Sequence, residues 1–228
     1  MTKTFQEKWN GIEILLIHGD SKDAFGSLGR HAPDAIVSDP PYGIDYNTHY
    51  GKGRKMPDGS VSKAPIQPKV HGDKEEFNPA HLLDHEHVVL WGANHFAKHI
   101  PSPGRWLVWD KRCGVIPERA QADCEMAWSK KPGPARLIRH MWDGMVKDSE
   151  HGEPRIHPTQ KPVKVMTWCM EKAEIPEGAV VCDPYMGSAS TGIACIRSGR
   201  SFVGLEIVEE YFDAAVERVK AELNGRLL

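Results

Sequence analysis

The sequence predicts an α/β fold, with a mostly parallel β-sheet covered by helices on both faces. Three observations carry that prediction. Short continuous apolar runs recur along the 228 residues, the pattern of strands buried on both sides. Stretches of helical periodicity lie between several of those runs. Acidic residues stand at or just past the ends of apolar runs, at Asp20, Asp39, Asp183 and Glu206. A parallel sheet would gather these along one edge, where ligands bind.

The elements follow in chain order. Ile12 to Ile17 reads as a buried strand ending at His18-Gly19-Asp20. Ser21 can cap a short helix reaching about Leu28. Ala35 to Ser38 is a second strand, stopped by Pro40 and Pro41. The polar segment 43–74 reads as a long loop, the length of a functional one. A helix is expected near Glu75 to Leu83. Val88 to Trp91 and Trp106 to Trp109 are strands, and Glu125 to Trp128 and Arg136 to Met141 are candidates. Thr159 is expected to cap a helix that carries Val163, Met166, Met170 and Ala173 on one face, with Pro162 in its first turn. Ala179 to Cys182 is a strand, Ser190 to Arg197 a helix, and Ser201 to Leu205 a strand. The apolar positions Val208, Tyr211, Phe212, Ala215, Val219 and Leu223 mark an amphipathic last helix.

Composition narrows the partners. Hydrophobic residues make up 40%, enough for a core, and the net charge is -2, so any nucleic-acid surface must be local. The cysteines at 113, 124, 169, 182 and 195 form no C-x-x-C pair, which argues against zinc and disulfide frameworks and suits a reducing cytoplasm. The residues from Met1 to Asn10 are polar and lack a signal-peptide core, and no apolar run approaches the ~20 residues of a membrane span. His81, His85 and His87, interleaved with acids, read as a solvated surface rather than a metal site.

Ser38-Asp39-Pro40-Pro41-Tyr42 is the most informative stretch. An aromatic amine is a poor nucleophile because its lone pair is delocalised into the ring. A site that accepts hydrogen bonds from both N–H groups helps to localise that pair. Asp39 offers a carboxylate and Pro40 a carbonyl, on a backbone stiffened by Pro40 and Pro41. Tyr42 can stack on an extruded base, worth roughly 1–3 kcal/mol.

Two further stretches can hold a ligand. In Asp183-Pro184-Tyr185-Met186-Gly187-Ser188-Ala189-Ser190-Thr191 small residues join a strand to a helix, and Glu206 ends the next strand, where a carboxylate can accept ribose hydroxyls. The G-x-G-x-x-G of dinucleotide folds is missing, and Asp183 suits an amino-bearing or cationic ligand better than a pyrophosphate. In His157-Pro158-Thr159-Gln160-Lys161-Pro162, helix N-terminal donors and the Lys161 ammonium can hold a carboxylate.

Together these stretches resemble the circularly permuted β class of DNA amino-methyltransferases, the N6-adenine/N4-cytosine type. The order matches, with D-P-P-Y first, then H-P-T-Q-K-P, then the D-P-F-x-G-S-G-T-like run. Asp20 in His18-Gly19-Asp20 looks like the family's G-D element, and Gly92-Ala93-Asn94 and Trp109-Asp110-Lys111 look like further family features. The resemblance covers about residues 11–220 and implies a Rossmann-like fold, S-adenosylmethionine as cofactor, and base flipping in double-stranded DNA. It assigns Asp39, Pro40, Pro41 and Tyr42 to catalysis. It assigns Asp20, His157, Thr159, Lys161, Asp183, Tyr185, Gly187, Ser188, Ser190, Thr191 and Glu206 to the cofactor.

The chain departs from the family pattern at Tyr185, which stands for Phe, and at Ala189, which stands for the second glycine. The resemblance further implies one catalytic domain over 1–228, with segments 43–75 and 111–156 as DNA-contacting insertions. Segment 43–74 holds six Lys/Arg against Asp45, Asp58 and Asp73, so it can contact phosphates. Asp at the first motif position favours adenine N6, with cytosine N4 as the alternative. An RNA or protein methyltransferase fits less well, because its cofactor motif comes first. A non-catalytic binding module fits less well because Asp39, Tyr42 and Glu206 are intact. A homodimer and a bacterial or phage-infected cytoplasm complete the expectations, and the sequence does not decide whether a restriction partner exists.

Overall fold

A computed structural model describes residues 3–45, 70–115, 122–143, 146–153 and 155–225. The strands are β1 (Thr4–Trp9), β2 (Ile12–His18), β3 (Ala35–Ser38), β4 (His87–Trp91), β5 (Arg105–Asp110), β6 (Cys124–Ser129), β7 (Arg136–Arg139), β8 (Trp142–Asp143), β9 (Val146–Lys147), β10 (Val180–Asp183) and β11 (Ser201–Glu206). The helices are α1 (Ser21–Ala24), α2 (Val163–Lys172), α3 (Ser190–Arg197) and α4 (Glu209–Leu223).

Nine strands form one sheet in the order β1-β2-β11-β10-β3-β4-β6-β5-β7, and β8-β9 form a separate small hairpin. The run from β2 to β4 is parallel throughout. Strand β6 lies antiparallel between β4 and β5. Side chains alternate across the sheet with the period of two that strands impose. Ile14, Leu16, Val37, Val89 and Val181 pack on the face carrying α2, α3 and α4. Leu15, Ile36, Leu90, Cys182 and Leu205 pack on the other, under α1 and the single helical turns at Phe25–Ser27, Ala80–Leu82 and Ala97–His99. This is the mostly parallel, two-face-covered sheet the apolar runs predict.

Several local expectations need correction. Strand β1 was not anticipated, because five of its six residues are exposed and carry no alternating pattern. Its signal is Asn10-Gly11, which joins β1 to β2 with φ of 45° and 84°, the pair of positive φ angles of a tight hairpin turn. The helix expected at Glu75 to Leu83 reduces to one turn at Ala80–Leu82, because Pro79 cannot sit inside a helix. Helix α2 starts at Val163 with Pro162 as its cap, so Thr159 lies outside it. Asp20, not Ser21, caps α1, accepting from the Lys22 N–H at 2.9 Å. Within segment 111–156, β6 and β7 belong to the main sheet. Most of the long loop, residues 46–69, lies outside the described residues.

Candidate active site

The carboxyl ends of β2, β3, β4 and β11 open onto one cavity of about 1530 Å³. That exceeds the ~300–1,000 Å³ of a single-ligand pocket, so two ligands can lie side by side. Asp39, Pro40, Pro41 and Tyr42 line one part of it. Asp20, Tyr185, Gly187 and Glu206 line another, with His157, Thr159 and Lys161 also on the wall. Asp183, Ser188, Ser190 and Thr191 do not reach the lining among the described residues.

Those four hold the turn from behind. Asp183 Oδ1 accepts from the Ser38 hydroxyl at 2.6 Å and the Tyr185 N–H at 3.1 Å, and Oδ2 accepts from the Thr191 hydroxyl at 2.7 Å. Burial pushes its carboxyl up to about 6 despite these donors. The turn therefore ties the end of β10 to the end of β3. Arg218 of α4, buried, donates to the Ser188 carbonyl and the Ser190 hydroxyl, both at 3.0 Å, and pairs with Glu150 at 2.5 Å. Ala189 takes a left-handed φ of 57° where the resembled family carries glycine, a strain of roughly 1–2 kcal/mol for an L-residue.

Glu206 faces the cavity with its carboxylate held by two backbone donors, Gly187 N–H at 3.0 Å and Val208 N–H at 2.8 Å. Each oxygen keeps a lone pair for a further donor. His157 packs edge-on against Tyr211, with ring centroids 4.5 Å apart, and its Nδ1 accepts from the Thr159 N–H at 3.4 Å. Burial, with Arg155 and Lys161 adding, pushes its imidazole down to about 4. His157 is thus neutral in the folded chain, whereas unfolded histidine titrates near 6.5. Its contribution to stability is complete above that value and is lost as pH falls toward 4. Wild type is expected to lose on the order of 2 kcal/mol more than His157→Gln between pH 7 and pH 4.5, read by denaturant midpoints.

Tyr42 lies across Gly92 and stacks on His95, with centroids 5.0 Å apart and planes 14° from parallel. Its hydroxyl donates to Asp39 Oδ1. Lys161 reaches the other oxygen, Oδ2, at 2.5 Å, and also lies 3.0 Å from Glu125. The sequence reading placed Lys161 against a cofactor carboxylate. The structure instead gives its ammonium two protein carboxylates, and places it beside the D-P-P-Y turn. Glu125 lies outside the sequence pattern, which marks the carboxyl ends of parallel strands. Antiparallel β6 brings its first residues, not its last, to this edge.

A second residue the motifs do not mark is Asp73, which enters the sequence reading only as one of three acids in the loop 43–74. It is 5% exposed, and its Oδ1 accepts from the N–H groups of Tyr42 and Gly43 at 2.8 Å and of Ile44 at 3.4 Å. This carboxylate sets the backbone at the end of the D-P-P-Y motif. Asp73→Ala is expected to cost about 3 kcal/mol in denaturant unfolding, since it leaves buried donors without a charged acceptor. Asp73→Asn keeps an accepting oxygen and is expected to cost less than half as much.

Comparison with known proteins shows the family and the fold. A family model for N6/N4-type DNA methylases matches residues 117–217. M2.DpnII, a type II methyltransferase of Streptococcus pneumoniae, is 31% identical over 262 aligned residues, covering 97% of this chain and 94% of that one. The chain belongs to the N6/N4 DNA methylase family. The methylase is also similar to M2.LlaDCHI, a type II methyltransferase of Lactococcus lactis subsp. cremoris, at 26% identity over 96% of this chain and 93% of that one. Among solved structures, it shares its fold with the M1.HpyAVI–SAM complex, at TM-score 0.53, 22% identity, and 90% and 98% of the two chains. It shares it too with the PvuII DNA methyltransferase (cytosine-N4-specific), at TM-score 0.55, 14% identity, and 94% and 92% of the two chains. None of the methylase's described helices is long and apolar enough to cross a membrane.

Proposed function

We propose that this DNA methylase transfers a methyl group from S-adenosylmethionine to N6 of an adenine flipped out of double-stranded DNA. The observation that carries this reading is the placement of Asp39 and Pro40 at the tip of β3, on the wall of a cavity large enough for cofactor and base together.

The chain's residues fit the cofactor. Glu206 has accepting capacity left for the two ribose hydroxyls, and Gly187 gives backbone access beside it. Asp20 can accept from the adenine amine of the cofactor, while Tyr185, His157 and Thr159 complete the wall. Asp183, Ser188, Ser190 and Thr191 act by shaping the turn. Bound there, the sulfonium supplies an electrophilic methyl group.

Asp39 and the Pro40 carbonyl then accept the two N–H groups of the target amine, which localises the nitrogen lone pair for attack. In the described state the Tyr42 hydroxyl occupies the Asp39 oxygen that Lys161 leaves accessible. Base entry therefore requires the tyrosine to yield that oxygen and keep its ring for stacking. Burial raises the Asp39 carboxyl above its ordinary value, and the Lys161 ammonium offsets part of that rise. Ionised Asp39 is the accepting form, so turnover falls as pH drops through a value above the ordinary one for aspartate.

An aspartate at the first motif position supports adenine over cytosine. Nucleosides digested from the DNA of cells expressing the protein test this directly. N6-methyladenine is the expected product. N4-methylcytosine alone would refute the base assignment and leave the enzyme class intact.

A further inference from the structure

Beyond the motif residues, the cavity wall carries an alternating row of charges drawn from four separate elements. Lys111 follows β5, Glu125 lies in β6, Lys161 precedes α2, and Asp39 follows β3. Glu125 Oε1 lies 3.0 Å from the Lys111 ammonium, and its Oε2 lies 3.0 Å from that of Lys161. Lys161 then meets Asp39 Oδ2 at 2.5 Å. Tyr42 takes Oδ1 and stacks on His95. Every carboxylate oxygen in the row has one partner, and every ammonium has at least one carboxylate.

We propose that Glu125 is a positioning residue for methyl transfer, acting through Lys161 to fix the Asp39 carboxylate so that one defined oxygen, the one Tyr42 yields, is presented to the target amine. This rests on the reading of Asp39 given above. The physical need is plain. Lys161 is 5% exposed, and a buried ammonium stays charged only against adequate negative charge. Burial works against its charge, and Asp39 and Glu125 together outweigh burial and hold it well above its ordinary value. Burial also works against ionisation of Glu125, but Lys161 and Lys111 overcome it and hold the carboxyl at about 2. Glu125 therefore stays ionised at neutral pH and gives Lys161 a second carboxylate beside that of Asp39. Without it, Lys161 has a single carboxylate partner, and its remaining contacts are neutral: the Tyr42 hydroxyl at 3.4 Å and the face of the Trp91 ring.

The groups facing Asp39 are Lys161, Glu125, Tyr42 and, from β10, Asp183. Glu125 raises the Asp39 carboxyl and Lys161 lowers it. Their removal must therefore move the acid limb of the rate profile in opposite directions, which a merely structural role would not do.

The test is steady-state methyl transfer to DNA across pH, with cofactor affinity and thermal midpoint measured on the same samples. Glu125→Gln is expected to lower kcat about tenfold with cofactor affinity and midpoint close to wild type, and to move the acid limb to lower pH. Lys161→Met is expected to move that limb to higher pH. Lys111→Met frees Glu125 to draw Lys161 away from Asp39. It is expected to shift the limb upward as well, and it carries the test if Glu125→Gln does not fold. A wild-type rate and pH profile in Glu125→Gln would overturn the proposal. So would a loss of kcat that merely tracks lost cofactor binding and a lower midpoint. Asp39→Asn separates the two levels: wild-type turnover there removes the reading of Asp39 itself, while an inactive Asp39→Asn beside an unaffected Glu125→Gln removes only this inference.

Discussion

Replacing Asp39 by alanine is expected to lower methyl transfer roughly 10³-fold, the scale of losing one preorganised group at a reacting centre. On the proposed reading the carboxylate is one of two acceptors offered to the target amine, and the only charged one. Its removal leaves the amine lone pair delocalised and Lys161 without its 2.5 Å partner. Lys161 retains Glu125 at 3.0 Å, so the chain is expected to fold. Cofactor affinity is expected to stay near wild type, because Glu206 and Gly187 lie on a different part of the wall. Rate measurement with equilibrium cofactor binding checks both. A variant that turned over within tenfold of wild type would mean that the amine is held elsewhere.

The second large effect is expected from Gly92→Ala. Gly92 follows β4 with φ of 67°, a conformation that L-residues rarely adopt. A Cβ there would fall 1.9 Å from Tyr42 Cε1 and 2.3 Å from Cζ. The ring cannot share that space, so Tyr42 must leave its stack on His95 and its hydrogen bond to Asp39. The expected outcome is about a 10²-fold loss of kcat, the size of a 1 Å misplacement at a reacting centre, with a stability loss of only about 1–2 kcal/mol from the backbone. Activity falling far more than stability is the signature. Equal activity in the variant would show that the position of Tyr42 is not needed.

The sequence disclosed what is local. Apolar runs such as Val88 to Trp91 read as strands buried on both faces, and D-P-P-Y stops its own strand, so its place at the sheet edge was legible. What it concealed depends on chain reversal and reach. Strand β1 sits at a sheet edge with its side chains in solvent, so no hydrophobic pattern announces it. Glu125 enters the site because β6 runs against its neighbours. Asp73 joins a backbone about thirty residues earlier in the chain, at Tyr42 and Gly43. Lys161 was legible as important but not in role: its ammonium meets Asp39 across a separation of 122 residues, a contact that only the folded sheet creates. Asp183 was read as a ligand contact because it ends a strand. Three inward donors claim it instead.

The most direct measurement is the chemical position of the transferred methyl group. Purified protein, methyl-labelled S-adenosylmethionine and DNA, RNA or protein substrates are incubated side by side, and the labelled product is digested and identified. The account predicts label in DNA alone, on the exocyclic nitrogen of a base. Label on a ring carbon, or in RNA or protein with DNA unmodified, would contradict it.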